Sequence, residues 1–126
     1  MPLVRIDLLE GTSAEYRRTI GDVVYESMLG ALNVPKDDKF QIITEHPAEE
    51  LSIDPTYLGI QRTSACIIIQ VTLNEGRSLE QKRAFYKAIA DGLHQHLSVR
   101  REDVFINLVE VKKENWSFGN GEAQYA

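Results

Sequence analysis

Three things are scarce in this sequence, and each scarcity removes a class of protein. Among 126 residues there is one cysteine, Cys66, so no disulfide framework and no cysteine-based metal cluster is expected. Basic residues are outnumbered, with 14 Lys and Arg against 19 Asp and Glu and a net charge of −5. A general binder of nucleic acid or of an anionic membrane surface shows the opposite balance, so neither partner is expected. Long apolar runs are lacking too. None approaches the roughly 20 residues needed to cross a bilayer, and Arg5, Asp7 and Glu10 interrupt any signal-peptide core at the N-terminus. What remains, 43% hydrophobic and 26% charged, reads as one soluble globular unit spanning 1–126, most simply cytoplasmic. Proline is sparse as well, at four residues, and one of the four stands second in the chain.

What is present is a repeat. Shifted by 65 positions the sequence echoes itself: Leu8-Leu9-Glu10-Gly11-Thr12-Ser13-Ala14-Glu15 falls on Leu73-Asn74-Glu75-Gly76-Arg77-Ser78-Leu79-Glu80. Arg18 meets Arg83, Asp38 meets Asp103, Phe40 meets Phe105 and Glu45 meets Glu110, all without a gap. Two copies, about 2–45 and 66–111, are followed by a tail, 112–126. Each copy starts with an Ile- and Val-rich stretch of strand length (Leu3 to Leu9; Cys66 to Leu73) and then a turn with Gly and Ser. Ser13 reads as a simple helix N-cap, and Ser78 with Gln81 as a capping box. Tyr16, Ile20, Val23, Val24, Met28 and Leu32 mark the apolar face of the first helix, which Pro35 is expected to end. Phe85, Ile89, Leu93 and Leu97 mark the second. Strands Phe40 to Thr44 and Val104 to Val111 close the copies. The expected fold is α/β (α+β): a tandem β-α-β duplication giving a four-stranded mixed sheet with two helices on one face, each crossover joining parallel strands with a right-handed turn. The linker, about 46–64, with Pro47, Pro55 and Gly59, is expected at the surface.

One strand implies more. Cys66-Ile67-Ile68-Ile69-Gln70-Val71 is apolar on both of its alternating faces, so both are expected to be buried. Two helices cover one face of the sheet, and a second copy of the chain is the economical cover for the other. A homo-oligomer is expected.

Pro2 poses a chemical question. Inside a chain its nitrogen is a tertiary amide and has no basicity. At an N-terminus it is a secondary amine with a lone pair. Met1 precedes a small residue, and its removal would free that amine. In the repeat Pro2 aligns with Ile67, which can never be an amine, so the two copies cannot share this chemistry.

The pattern Glu75-Gly76-Arg77-Ser78-Leu79-Glu80-Gln81-Lys82 after a first strand, in a β-α-β repeat that begins at a proline, resembles the tautomerase superfamily. Further stretches point to its malonate semialdehyde decarboxylase group: Val34 to Gln41, Glu45-His46-Pro47-Ala48, Leu58 to Thr63, and the tail Asn115 to Gly121. The resemblance runs nearly end to end. It implies a 4-oxalocrotonate tautomerase-like or MIF-like fold, assembly as a homotrimer, no cofactor, no metal, and a small carboxylate-bearing substrate. It also implies Pro2, Asp38 and Arg77 as catalytic residues, with Arg77, Asn74, Trp116 and Phe118 touching substrate.

Several of these residues have independent chemistry. A lowered amine pKa would make Pro2 a general base; a raised one would make it an acid that polarises a carbonyl. Arg77 sits at a helix start, where a cation is poorly matched to the helix dipole, and such a placement suits a bidentate grip on a carboxylate. The other copy has Thr12 there, so the turn itself does not require arginine. Asp103 repeats Asp38, which suits a structural turn carboxylate as well as a catalytic one. Trp116, Phe118 and Tyr125 form an aromatic tail suited either to closing a pocket or to packing against the same or a neighbouring subunit. His94 and His96, two apart on a helix, make a poor metal pair. His46 reads as structural, and Cys66 as an inert core thiol.

The sequence departs from the decarboxylase pattern at one place. Two arginines spaced R-x-R are expected before the second helix, and Glu75 stands where the first should be. Arg62, or an arginine from a neighbouring copy, is the candidate to replace it. Three functions follow: keto–enol tautomerisation of a small oxo or enol acid, in which Pro2 moves the proton; hydration or decarboxylation of a 3-oxo acid such as malonate semialdehyde; and a binding protein that keeps the fold without turnover.

Overall fold

A computed structural model describes residues 2–126; the expected removal of Met1 falls outside the described residues. Strand β1 (Leu3–Leu9) leads into helix α1 (Ala14–Leu32) and strand β2 (Gln41–His46). After a linker with two short 3-10 turns, β3 (Ile67–Asn74), α2 (Leu79–Leu97) and β4 (Val104–Val111) repeat the arrangement. The two helices start and end 65 residues apart, as the repeat requires. Ser13 and Ser78 cap them by accepting from the main-chain N–H of Tyr16 and Gln81, and Gln81 completes the capping box. Both stop at a residue in the left-handed region, Asn33 at φ 55° and Ser98 at φ 55°. Helix α1 therefore ends before Pro35 is reached, because Asn tolerates the left-handed cap and closes the helix there.

The sheet order is β2-β1-β3-β4. Each copy contributes a parallel pair, β1 with β2 and β3 with β4, and the copies join through antiparallel β1 and β3. The register is Val4↔Val71 and Ile6↔Ile69 at the join. Those residues point to one face, where they meet Ile20, Val24 and Met28 of α1 and Phe85, Ile89 and Leu93 of α2 in one buried cluster. Both helices occupy that face and pack against each other. Burying each large aliphatic side chain in such a core contributes about 1.5–3 kcal/mol.

The opposite face is left partly open by the single chain. Ile68 is only half-buried, and Ile42, Phe105 and Val109 on the same face are 40%, 44% and 38% exposed. The physical reason is the crossovers: both run on one side, leaving the linker, through Ile53, Tyr57 and Arg62, to approach Ile68 and Phe105 on the other. Among the described residues, no helix is long and apolar enough to cross a membrane.

Candidate active site

The topology brings the candidate residues to one end of the sheet. Strand β1 begins where the antiparallel β3 finishes, with Leu3 opposite Thr72, and β2 begins beside it, with Val4 opposite Gln41. Strand β4 also finishes there, Asn74 facing Val111. Pro2, the approach to β2 carrying Asp38, the Asn74 end of β3, the start of α2 and the tail after β4 therefore share that end.

Pro2 is buried. With Leu3, Phe40, Trp116, Ser117 and Phe118 it lines a cavity of about 220 Å³. The rings of Trp116 and Phe118 stack with centroids 5.5 Å apart, and Tyr125 meets Phe118 edge-on at 5.0 Å. The aromatic tail thus folds back to form a wall beside the chain's second residue. Of its lining, the sequence did not mark Leu3, Phe40 or Ser117 as site residues, and Phe40 is the aromatic one among them. Its signal was there, since the repeat pairs it with Phe105, but the repeat gave no reason to place it beside Pro2.

Asp38 lies two residues before Phe40, and its side chain is 9% exposed. Burial pushes its carboxyl above the usual carboxylate range, while the charge at the chain's N-terminus pulls the other way. Its repeat-mate Asp103 is fully buried and accepts from the Thr63 main-chain N–H at 2.7 Å and from the Thr63 hydroxyl at 2.6 Å. Asp103 is therefore a fastener for the linker, and the two aspartates have different surroundings.

Arg77 does not line the Pro2 cavity. Its Nε and Nη2 donate to the main-chain oxygen of Leu32, at 3.3 and 3.2 Å, and its Nη1 donates to that of Asn74 at 3.1 Å. A guanidinium on the last carbonyl of α1, that of Leu32, complements the negative end of that helix. It also ties the start of α2 to the end of α1. Three of its five N–H donors are engaged in this way, and the fork keeps two more.

Asn74, 9% exposed, accepts the indole N–H of Trp116 on Oδ1 at 2.7 Å. Glu75 is exposed and lies with Lys112, Lys113 and Tyr125 around a second hollow. Arg62 is engaged in the linker, where its Nη1 donates to the main-chain oxygens of Tyr57 and Ile60 at 3.1 and 3.3 Å. Within one chain, then, Arg62 does not take the place that Glu75 leaves.

The remaining reactive groups sit elsewhere. His46 pairs with Asp7 at 2.6 Å on the open sheet face. Burial pushes the Cys66 thiol up, with Asp103 adding to the rise and Arg62 opposing it, which disfavours the nucleophilic thiolate. Among the described residues, no three His, Cys, Asp or Glu side chains gather to hold a metal ion.

Known proteins share both sequence and fold with this chain. Two family models, each described as tautomerase enzyme, match residues 38–119 and residues 2–61. Probable tautomerase YusQ of Bacillus subtilis (strain 168) is 44% identical over 124 residues, covering 98% of each protein. A solved malonate semialdehyde decarboxylase, for which decarboxylase and hydratase activities are described, superposes with a TM-score of 0.90 at 32% identity, covering 98% of this chain and 95% of that one. A fused 4-OT, solved as a symmetric trimer, shares the fold with a TM-score of 0.78 at 19% identity, covering 98% and 97%. The two family models and the Bacillus relative, matched over nearly the whole chain, show that the chain belongs to the tautomerase family.

Proposed function

We propose that this chain is a cofactor-independent enzyme that moves a proton between oxygen and carbon in a small oxo or enol carboxylic acid, with the Pro2 nitrogen carrying the proton. The observation that carries this reading is the seating of Pro2, buried against Phe40, Trp116 and Phe118 in a cavity of about 220 Å³. An N-terminal amine ordinarily titrates near 7.7–8.0, and apolar walls disfavour its ammonium form. The neutral amine takes the enol O–H proton as the C=O bond forms, and the ammonium so formed returns a proton to the far carbon of the former C=C double bond. The product is an isomer, with nothing gained or lost. An ionised Asp38 favours the ammonium and a neutral one favours the free base, so Asp38 sets the charge at the site. The two N–H groups of Arg77 not engaged on Leu32 and Asn74 are the donors for the substrate carboxylate, next to the first amides of α2.

The second reading is hydration or decarboxylation of a 3-oxo acid such as malonate semialdehyde. The end-to-end likeness to the solved decarboxylase favours it, and Glu75 in place of a second arginine weighs against it. For either chemistry we propose a homotrimer that covers the apolar open face of the sheet, in keeping with the trimeric fused 4-OT.

The test starts with intact-mass spectrometry of the purified protein, which should show the chain without Met1. Ketonisation of phenylenolpyruvate is then compared with carbon dioxide release from malonate semialdehyde, in wild type and Pro2→Ala. Retention of Met1, or equal rates in the two proteins, overturns the role of Pro2. Carbon dioxide release well above ketonisation selects the second reading.

A further inference from the structure

We propose that Asn74 is a positioning residue, which holds the indole of Trp116 in place as the wall over Pro2; this rests on the proton-transfer reading of the Pro2 site. Asn74 is the last residue of β3 and its main chain is fixed. It pairs with Val111 in the ladder, and the next N–H, that of Glu75, donates to the Val111 oxygen at 2.9 Å. Its main-chain oxygen accepts from Arg77 at 3.1 Å, and its side-chain oxygen accepts from Trp116 at 2.7 Å. One nearly buried residue thus touches both the expected carboxylate grip and the expected wall.

The indole N–H is a donor only and is the one polar handle on that ring. Its acceptor therefore sets the ring's height and tilt over the cavity. The rest of the array is internally fastened: the Phe118 N–H donates to Gln124 Oε1 at 3.0 Å, and Gln124 Nε2 donates to the Gly119 oxygen at 2.8 Å. Phe118 stacks on Trp116 and Tyr125 leans on Phe118, so where the indole goes the wall follows. The tail after β4 holds only a three-residue 3-10 turn, Lys113–Asn115, and the Asn74 bond ties it back to the sheet across 42 positions of sequence. Releasing the bond leaves Pro2 chemically intact and loosens the surface against which substrate packs. Binding should suffer more than proton transfer.

The protein's single tryptophan makes the tether directly readable. Asn74→Ala should increase acrylamide quenching of Trp116 and shift its emission to the red, whereas Asn74→Asp, which keeps an acceptor oxygen, should leave both at the wild-type values. In phenylenolpyruvate ketonisation Asn74→Ala should raise KM by about three- to tenfold, the loss expected for one hydrogen bond, with a smaller change in kcat. In a Trp116→Phe background, where the donor is already gone, the same substitution should add little. Unchanged quenching in Asn74→Ala overturns the proposal. So does a full KM effect that persists in the Trp116→Phe background, since Asn74 would then act on substrate by itself. If circular dichroism finds Asn74→Ala unfolded, Trp116→Phe alone decides, and a wild-type KM in it overturns the role. A wild-type protein inactive on enol acids would sink the proton-transfer reading, while the quenching comparison would still decide the tether.

Discussion

Val23 and Gly92 meet where α1 and α2 cross, so closely that a Cβ built on Gly92 would stand 2.7 Å from Cγ1 of Val23. The absence of a side chain at residue 92 lets the two helices settle onto one face of the sheet. Gly92→Ala should therefore destabilise the protein by about 1–3 kcal/mol through overpacking, despite alanine's better helix propensity. Gly21→Ala is the control. Its Cβ meets Oε1 of Gln41, the end of a flexible side chain whose Nε2 donates to the Gly21 oxygen at 2.8 Å, so moving it aside costs one hydrogen bond, about 0.5–1.5 kcal/mol. Thermal melts should rank Gly92→Ala clearly below Gly21→Ala, and Val23→Ala should recover part of the loss in Gly92→Ala; the reverse ranking would mean that the helix contact is slack.

Asp38 and Glu45 should give stability profiles of opposite slope. The folded-state carboxyl of Asp38 titrates above its ordinary value because of burial. Its stability contribution is therefore present in acid and is lost as pH rises through the folded-state value. Glu45 is held below its ordinary value, first by the Thr12 hydroxyl at 2.6 Å and next by the Thr12 N–H at 2.9 Å. Its contribution is present at neutral pH and is lost as pH falls through the folded-state value. Between about pH 3 and 7, the Tm of Asp38→Asn relative to wild type should climb with pH, and that of Glu45→Gln should fall. Parallel slopes in calorimetric scans would refute the assignment.

Arg77→Ala should fail in two ways at once. Losing donors to the Leu32 and Asn74 oxygens should lower Tm, by about 1.5–3 kcal/mol of stability for charged hydrogen bonds. Losing a carboxylate partner should raise KM for an enol acid. A lowered Tm with KM unchanged would make Arg77 a strut between α1 and α2 and leave the carboxylate to another group.

Pro2→Ala should reduce kcat for ketonisation by about 10²–10⁴, the usual contribution of a positioned general acid or base, with the melting curve little altered. Stopped-flow absorbance of the enol measures it. A loss confined to KM would assign Pro2 to binding.

The exposed apolar residues of the open sheet face predict assembly. Phe105→Asp or Ile42→Asp places a carboxylate there, and a buried unpaired charge is costly. Sedimentation should show wild type well above the 14.3 kDa of one chain and these variants shifted toward it. A wild-type monomer at micromolar concentration would remove the reason for the face's composition.

Much of this was legible in the residues themselves. The 65-residue offset located both helices, and Ser13, Ser78 and Gln81 marked where they begin, because capping is a local interaction among residues three apart. Strands β2 and β3 run slightly later than the sequence suggested, at Gln41–His46 and Ile67–Asn74, since pairing with β1 sets the limits of β2 and pairing with β4 those of β3. The open face was implied by Ile68 and Gln70 beside two crossovers.

The candidate residues could be named from the sequence, but their arrangement could not. Pro2, Asp38, Arg77 and Trp116 could be named from residue type, repeat and resemblance, since backbone position and chemical kind are local properties. Which partner each takes is not local. Asn74 reaches Trp116 across 42 positions and Arg77 reaches Leu32 across 45, contacts that exist only because β3 lies between β1 and β4 in this register. Strand order and register belong to the folded sheet as a whole, and they decided that Arg77 braces a helix end while Phe40 and the aromatic tail enclose Pro2.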